Sequence, residues 1–391
     1  MKSVRDIPVE GKRVFVRVDY NLPMDENLNI TDDNRIRATI GLIDYLQAHK
    51  AKIILASHMG RPDGVRDKKL SLLPAAQCLA KILDRPVLFA DDCIGDKVEQ
   101  QIAGLGAGQI LMLENLRFHK EEKKNDAVFA KKLADLCDVY INEAFAVSHR
   151  NQASVTGIPK FVSQAGAGFL LEKEVQAYYD SVEHPQKPLV AVIGGAKVSS
   201  KLAALENMLN FVDHLIIGGA MANTFLKAQG IDTKGSMIET DLLETAVAII
   251  EKAKQKGIEL LLPVDLVVAD RFDKEANTKT VLADEIPDNW MALDIGPKTA
   301  TRYAQAIQDA GTIVWNGPMG VFEMEKFAAG TQTVANAIAG SKAFSIVGGG
   351  DTGLAAKQCG VADRISYIST GGGAFLHMLE GKKLPGVVAL E

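Results

Sequence analysis

The chain has 391 residues, of which 47% are hydrophobic and 24% charged. That is enough for two or three domains with real cores. The net charge of −5 argues against a dedicated nucleic-acid binder, which is usually basic. The four cysteines (Cys78, Cys93, Cys137, Cys359) fall in no C-x-x-C pair or ligand spacing and read as incidental thiols of a reducing compartment. The N-terminal MKSVRDIPVEGKR has no apolar h-region, and no run approaches the roughly 18 apolar residues of a membrane span. A cytoplasmic protein is expected.

Along the chain, apolar β-branched runs alternate with helical patterns. The run KRVFVRVDYN (12–21) opens the series, followed by AKIILASHMGRP (51–62), with its strand at 51–57, and a helix over 71–83. A strand PVLF (86–89), a helix over 96–105, QILMLENLRF (109–118), with its strand at 109–114, and DVYINEAFAVSHR (138–150) complete the first half. The segment 166–188 reads as a glycine-rich entry, an amphipathic helix and a polar stretch with Pro185 and Pro188, the natural place for a boundary. Beyond it come PLVAVIGGAK (188–197), HLIIGGAM (214–221), a small hairpin excursion over 275–297, TIVWNGPMG (312–320), AFSIVGGGDTG (343–353) and RISYIST (364–370). Continuous apolar strands separated by helices predict an α/β chain with parallel sheets covered on both faces.

The strand ends differ between the halves. In the first half, Arg17, Asp19, Asn21, Arg35, His58, Arg61, Arg117, His149 and Arg150 fall at or just after strand ends, or at a helix start. Any one alone reads as a surface charge. Together they suit a phosphorylated acid, because guanidinium forks grip phosphate and carboxylate in bidentate fashion. In the second half the ends are glycine, which lets a phosphate chain approach bare backbone, and ligands of parallel sheets bind outside the carboxyl ends of strands. One chain with two such halves reads as a phosphotransfer enzyme.

GGGDTG (348–353) matches the G-x-G-x-x-G of dinucleotide folds, yet the following strand ends in Gly371–Gly373 rather than in the acid that would bind a ribose. Its acid, Asp351, lies inside the loop, which suits a phosphate carrying Mg2+; a Gly-Gly-Asp turn that merely caps a helix is the plainer reading. GGAKVSSKL (194–202) follows a glycine turn with Lys197 and Lys201, four apart, predicted to share one helix face near its N-terminus. NGPMGVFE (316–323), with Asn316 and Pro318, ends in Glu323, either a ribose acceptor or a surface carboxylate. There is no Ser-His-Asp arrangement, no H-E-x-x-H and no H-R-D loop. An acceptor that is a carboxylate needs no base, since it is already ionised at neutral pH.

RVDYNLP (17–23), SHMGRP (57–62), LENLRF (113–118), NEAFAVSHR (142–150), GGAKVSSK (194–201), WNGPMGVFE (315–323), GGGDT (348–352) and STGGGA (369–374) together resemble the phosphoglycerate kinase family, in order and over the whole chain. Tyr20, Leu22, Glu143 and Ser148 depart modestly from the usual residues of those motifs. The resemblance implies two Rossmann-like three-layer domains: 1–168 with a returning tail 374–391, and 186–373, joined by a hinge helix 169–185. It implies reversible phosphoryl transfer between 1,3-bisphosphoglycerate and Mg-ADP by a monomer. Carried over by position, Asp19, Asn21, Arg35, His58, Arg61, Arg117 and Arg150 bind 3-phosphoglycerate. Lys197, Lys201, Gly219, Gly296, Asn316, Pro318, Glu323, Gly349, Gly350, Asp351 and Thr352 bind ATP or ADP, with Asp351 at the metal. Arg35 and Lys197 flank the moving phosphoryl group, and Gly371, Gly372 and Gly373 offer it backbone amides. Two rival readings are an NAD-dependent dehydrogenase using GGGDTG and a non-catalytic two-lobed receptor for phosphate compounds.

Overall fold

The computed structural model describes residues 1–391, which divide into two compact units: Met1–Val175 with Lys383–Glu391, and Gln176–Lys382. The first unit is built on a six-stranded sheet of β1 (Arg13–Arg17), β2 (Lys52–Ala56), β3 (Leu88–Phe89), β4 (Ile110–Met112), β5 (Val139–Asn142) and β6 (Ala165–Ala167). Every pairing is parallel, in the order β3-β4-β2-β1-β5-β6. Four consecutive residues of β1, Val14–Arg17, are buried, as are Ile53–Ala56 of β2. That follows from helices on both faces, and it is why these strands read as unbroken apolar runs. The chain enters at β1, builds outward through β2, and returns on the other side with β5. The strand order therefore reverses between β1 and β5, where a crevice opens at their carboxyl ends.

The second unit repeats the plan. β7 (Leu189–Ile193), β8 (His214–Ile217), β9 (Glu259–Leu261), β13 (Thr312–Asn316), β14 (Phe344–Val347) and β15 (Tyr367–Ile368) form an all-parallel sheet in the order β15-β14-β13-β7-β8-β9. Its reversal lies between β7 and β13. The excursion expected over 275–297 is larger than a hairpin: β10 (Asp265–Ala269) sits between β11 (Thr278–Leu282) and β12 (Met291–Ile295) in an antiparallel sheet. Trp315, Tyr303 and Phe225 are fully buried in this unit.

The helix Phe169–Tyr178 carries the chain from the first unit to the second, and a π turn, Tyr179–Glu183, follows it. The tail returns later than the sequence places it, at Lys383 rather than 374. Residue 374 lies inside a helix, Gly372–Leu379, that packs on the helix Leu202–Met208 of the second unit. Phe375 fills the space that a side chain on Gly348 would need, 1.9 Å from that position. A helix bound this way cannot be divided between units.

Candidate active site

At the β1/β5 crevice of the first unit the side chains are basic and largely committed to one another. Arg35, in the short helix Asn34–Arg37, donates from Nη1 to Asp19 Oδ2 at 2.9 Å and to the Asn21 carbonyl oxygen at 3.0 Å. Asn21 Oδ1 accepts from the Gly60 amide at 2.9 Å, and Arg117 Nη1 donates to the Gly60 carbonyl oxygen at 2.8 Å. Gly60 holds φ +60°, and a Cβ there would lie 2.6 Å from Leu70, so glycine alone lets this turn tie β1 to the helical turn Leu116–Phe118. Of the seven side chains expected here, six (Asp19, Asn21, Arg35, His58, Arg117 and Arg150) are brought together by these contacts and by mutual electrostatic influence. Arg61 stands exposed within electrostatic reach of Arg150.

Arg117 is the most telling of them. It is 4% exposed, yet Nε and Nη2 are buried with no partner. Burial, then the charges of Arg150 and Arg17, pull its pKa down to about 10. Burial and Arg61 likewise lower that of Arg150. Unpaired buried donors are costly unless an acceptor meets them, and an anion is the acceptor that would suit a cluster of like positive charges. His58 is held neutral well below the usual imidazole range, first by burial and then by Arg17, Arg117, Arg150 and Arg35.

The motifs of the second unit meet at its own strand reversal. Lys201 Nζ donates to the Gly194 carbonyl oxygen at 2.6 Å and to the Asn316 carbonyl oxygen at 2.7 Å. Burial brings its pKa down to about 8, against the opposing pull of Asp351. Asn316 Nδ2 donates to the Gly348 carbonyl oxygen, and the Gly317 amide to Thr352 Oγ1 at 2.7 Å. The Gly195 amide donates to the Pro318 carbonyl oxygen, and a Cβ on Gly219 would meet Gly195 N at 2.5 Å. A Cβ on Gly372 would meet the Gly349 Cα at 2.7 Å, so the two glycine loops lie against each other. Each opens a helix, Gly350–Gln358 and Gly372–Leu379, whose first amides have no intrahelical acceptor. The Gly371 amide is already given to Ser369 Oγ at 3.2 Å, which leaves Gly372 and Gly373 as the donors of that loop.

Lys197 and Lys201 do not share a helix face. The helix begins at Leu202, with Lys201 at its N-cap, and Lys197 is exposed in the preceding turn. Ser199 and Ser200 explain this: Ser199 donates its amide and hydroxyl to Glu239, and Ser200 Oγ donates to the Lys197 carbonyl oxygen at 2.8 Å. Serines that bond locally compete with helix start. Glu323 is exposed at the end of its loop. Gly296 caps the helix Pro297–Gln308, and a Cβ there would strike the Asp265 carboxylate at 2.3 Å. Asp265 in turn accepts from the Thr299 and Lys298 amides, so this glycine has a packing reason of its own. Asp351 stands exposed in the first turn of its helix.

Elsewhere, Asp92, Cys93 and His119 place ligand atoms within 4.8 Å of one another. Asp92 already bridges His119 at 2.7 Å and Arg66 at 2.8 Å, so the trio reads as an ion-pair network. Sequence reasoning passed over Glu122 and Ser154, which lie buried behind the basic cluster. Ser154 lies within a buried run, 152–158, but Glu122 is the one buried residue of the charged helical turn Lys120–Lys123, where nothing local marks it.

Paired parallel sheets, an arginine-rich crevice in one unit and a glycine-lined crevice with a lysine in the other define a phosphate-handling enzyme of the two-domain α/β class. A family model described as phosphoglycerate kinase matches residues 4–382. A phosphoglycerate kinase of Desulforapulum autotrophicum is 63% identical over the full length of both chains, and one of Desulfotalea psychrophila 56%. The solved phosphoglycerate kinase of Coxiella burnetii superposes with a TM-score of 0.92 at 44% identity, covering 100% of this chain and 98% of that one. That of Pyrococcus horikoshii gives 0.85 at 33% identity, with the same coverage. The chain belongs to the phosphoglycerate kinase family. Neither the dehydrogenase nor the receptor reading is favoured by any of these relatives.

Proposed function

We propose that the chain transfers a phosphoryl group reversibly between 1,3-bisphosphoglycerate and ADP, giving 3-phosphoglycerate and ATP. The observation that carries this reading is Arg117, a buried guanidinium with two unpaired donors inside a cluster of like charges. Such a group is stable only with an anion to receive its N–H bonds. The phosphate of 3-phosphoglycerate is the anion, and Arg150, Arg61 and His58 share it. Asp19 and Asn21 hold Arg35 in place for the transferring group, whose equatorial charge Arg35 and Lys197 neutralise. No side chain need act as base, because the acceptor carboxylate is already ionised; a neutral His58 is consistent with that.

On the nucleotide side, the amides of Gly350, Asp351, Thr352, Gly372 and Gly373 face phosphate oxygens at two helix starts, and Lys201 supplies a nearby positive charge. Gly219, Gly296, Asn316, Pro318 and Glu323 border the nucleoside, with Gly349 freeing the loop to approach. Asp351 fits Mg2+: it is an exposed carboxylate at the loop that would hold the phosphates, and Mg2+ on a nucleotide takes one or two carboxylates and keeps its waters. When bound, the ion would neutralise phosphate charge. Direct transfer requires the two units to close on each other about 169–185, excluding water from the acyl phosphate. No helix is long and apolar enough to cross a membrane, and the reading carries with it a monomeric cytoplasmic enzyme. The test is a coupled assay with 3-phosphoglycerate and Mg-ATP: ADP must form only when both are present. Release of ADP independent of 3-phosphoglycerate, or none at all, would overturn the reading.

A further inference from the structure

Behind the basic cluster runs a buried polar chain that ends at His58. Glu122 is wholly buried and accepts from the Ser154 amide at 2.9 Å and from Ser154 Oγ at 2.5 Å. With its proton given to Glu122, Ser154 Oγ offers only lone pairs to Arg17 Nε, 2.8 Å away. Arg17, also fully buried, donates from Nη1 to its neighbour's carbonyl oxygen at Val18, and its Nη2 lies 3.2 Å from His58 Nδ1. We propose that Glu122 and Ser154 are positioning residues for 3-phosphoglycerate: through Arg17 they fix His58 in the tautomer that carries its proton on Nε2. The inference rests on the function proposed above and deepens its acid site.

A guanidinium has no acceptor atom, so a ring nitrogen facing it must be bare. A neutral imidazole with bare Nδ1 is protonated at Nε2 and can donate from there. The choice is not automatic, because Asp19 Oδ1 stands 3.7 Å from the same Nδ1. Were Arg17 free to turn away, Nδ1–H facing Asp19 would become the favourable form, and Nε2 would then present a lone pair. The substrate's phosphate and carboxylate oxygens are acceptors only, so a lone pair at Nε2 repels them where a proton would bind. The other charges around the ring, Arg117, Arg150 and Arg35, all oppose a second proton, which leaves the tautomer as the variable to be set.

The anchor is itself held. Ser154 sits in a π turn, Ala153–Gly157, a geometry that recurs at functional sites. Tyr140 Oη donates to the Ser154 carbonyl oxygen at 2.8 Å. The C-terminal tail braces the same turn: a Cβ on Gly386 would meet Val155 Cγ1 at 2.7 Å, and the Gly386 amide donates to the Ser148 carbonyl oxygen at 2.8 Å. Glu122 also lies one hydroxyl from Arg17, offsetting a cation that burial would otherwise penalise.

The test uses the full chain labelled with 15N-histidine, the His58 signals being assigned from their loss in His58→Gln. The wild type should show one bare and one protonated ring nitrogen with the coupling pattern of Nε2–H. Ser154→Ala and Glu122→Gln should move the ring toward Nδ1–H or toward averaged shifts. They should raise KM for 3-phosphoglycerate about tenfold, the loss of one charge-assisted bond, with KM for nucleotide within twofold. Ser154→Thr, which keeps the hydroxyl, should retain the wild-type tautomer. A wild-type ring protonated at Nδ1 overturns the proposal whether or not any variant folds. So do folded variants whose tautomer and KM are unchanged. Absence of wild-type turnover would instead count against the proposed function, and the tautomer is read independently of it.

Discussion

Lys201 Nζ and the Asn316 carbonyl oxygen are 2.7 Å apart, and this bond, with its twin to Gly194, bridges the carboxyl ends of β13 and β7 where the strand order reverses. The lysine is thus held by backbone, and on the proposed function a nucleotide phosphate would replace the carbonyls. Burial lowers its pKa to about 8 in the free protein, and a bound anion favours the charged form. Nucleotide binding should then take up a proton above pH 8, and Kd for ADP should rise about tenfold per pH unit between pH 8 and 10. Calorimetry in buffers of different ionisation enthalpy measures the uptake directly. Lys201→Met should weaken binding and flatten that slope; a slope that persists assigns the proton elsewhere.

Arg117→Lys should weaken 3-phosphoglycerate by roughly 30- to 100-fold, about 2 to 3 kcal/mol, while nucleotide affinity stays unchanged. The lysine keeps the charge but cannot supply the Nε and Nη2 donors that now lack partners. Titration with 3-phosphoglycerate alone reads the effect, and an affinity within threefold of the wild type would place the phosphate away from Arg117.

Arg35→Ala is expected to lower kcat by two or more orders of magnitude with ADP affinity nearly intact. Arg35 is held by Asp19 and the Asn21 carbonyl rather than packed, so its deletion leaves the fold in place. Losing an interaction specific to the transition state lowers kcat and kcat/KM together. A variant that only raised KM for the acid would show a plain binding role.

Asp351→Asn should raise the Mg2+ concentration needed for half-maximal rate and weaken Mg-nucleotide, leaving 3-phosphoglycerate affinity as it was. The carboxylate is exposed in the first turn of its helix, so the substitution costs little stability, and a hard cation prefers the anionic oxygen. An unchanged Mg2+ dependence would put the ligand elsewhere.

Glu143 gives a prediction for stability. Its carboxyl is buried below the start of the helix Phe169–Tyr178, where Oε2 accepts the Leu170 amide at 2.9 Å, and burial pushes its pKa up to about 8. The folded form therefore binds the proton more tightly than the unfolded chain does. Its contribution is fully present below about pH 4.5 and is lost as pH rises to about 8, a change on the order of 4 kcal/mol. Glu143→Gln should flatten this part of the pH dependence of the denaturation midpoint. Parallel profiles for the two proteins between pH 5 and 9 would show that Glu143 does not titrate there.

The sequence by itself determined the α/β class, the parallel strands and the chemical division between the halves. Strands buried on both faces must be continuous apolar runs, and their ends must carry whatever meets a ligand. The members of the basic cluster were legible for the same reason: Arg17 ends such a run, and His58, Arg117 and Arg150 each follow one. What lay beyond it depends on distances between segments far apart in the chain. Lys197 and Lys201 suggested a helix by spacing, but Ser199 spends its bonds on Glu239, 40 residues away, and the helix starts late. The resemblance starts the returning tail at 374, yet Phe375 against Gly348 holds that helix in the second unit. Glu122, Ser154 and Arg17 form one chain only because a π turn brings residue 154 back over β1 and β5. Periodicity reports which face of an element is buried; only the packed structure decides which buried polar groups find each other.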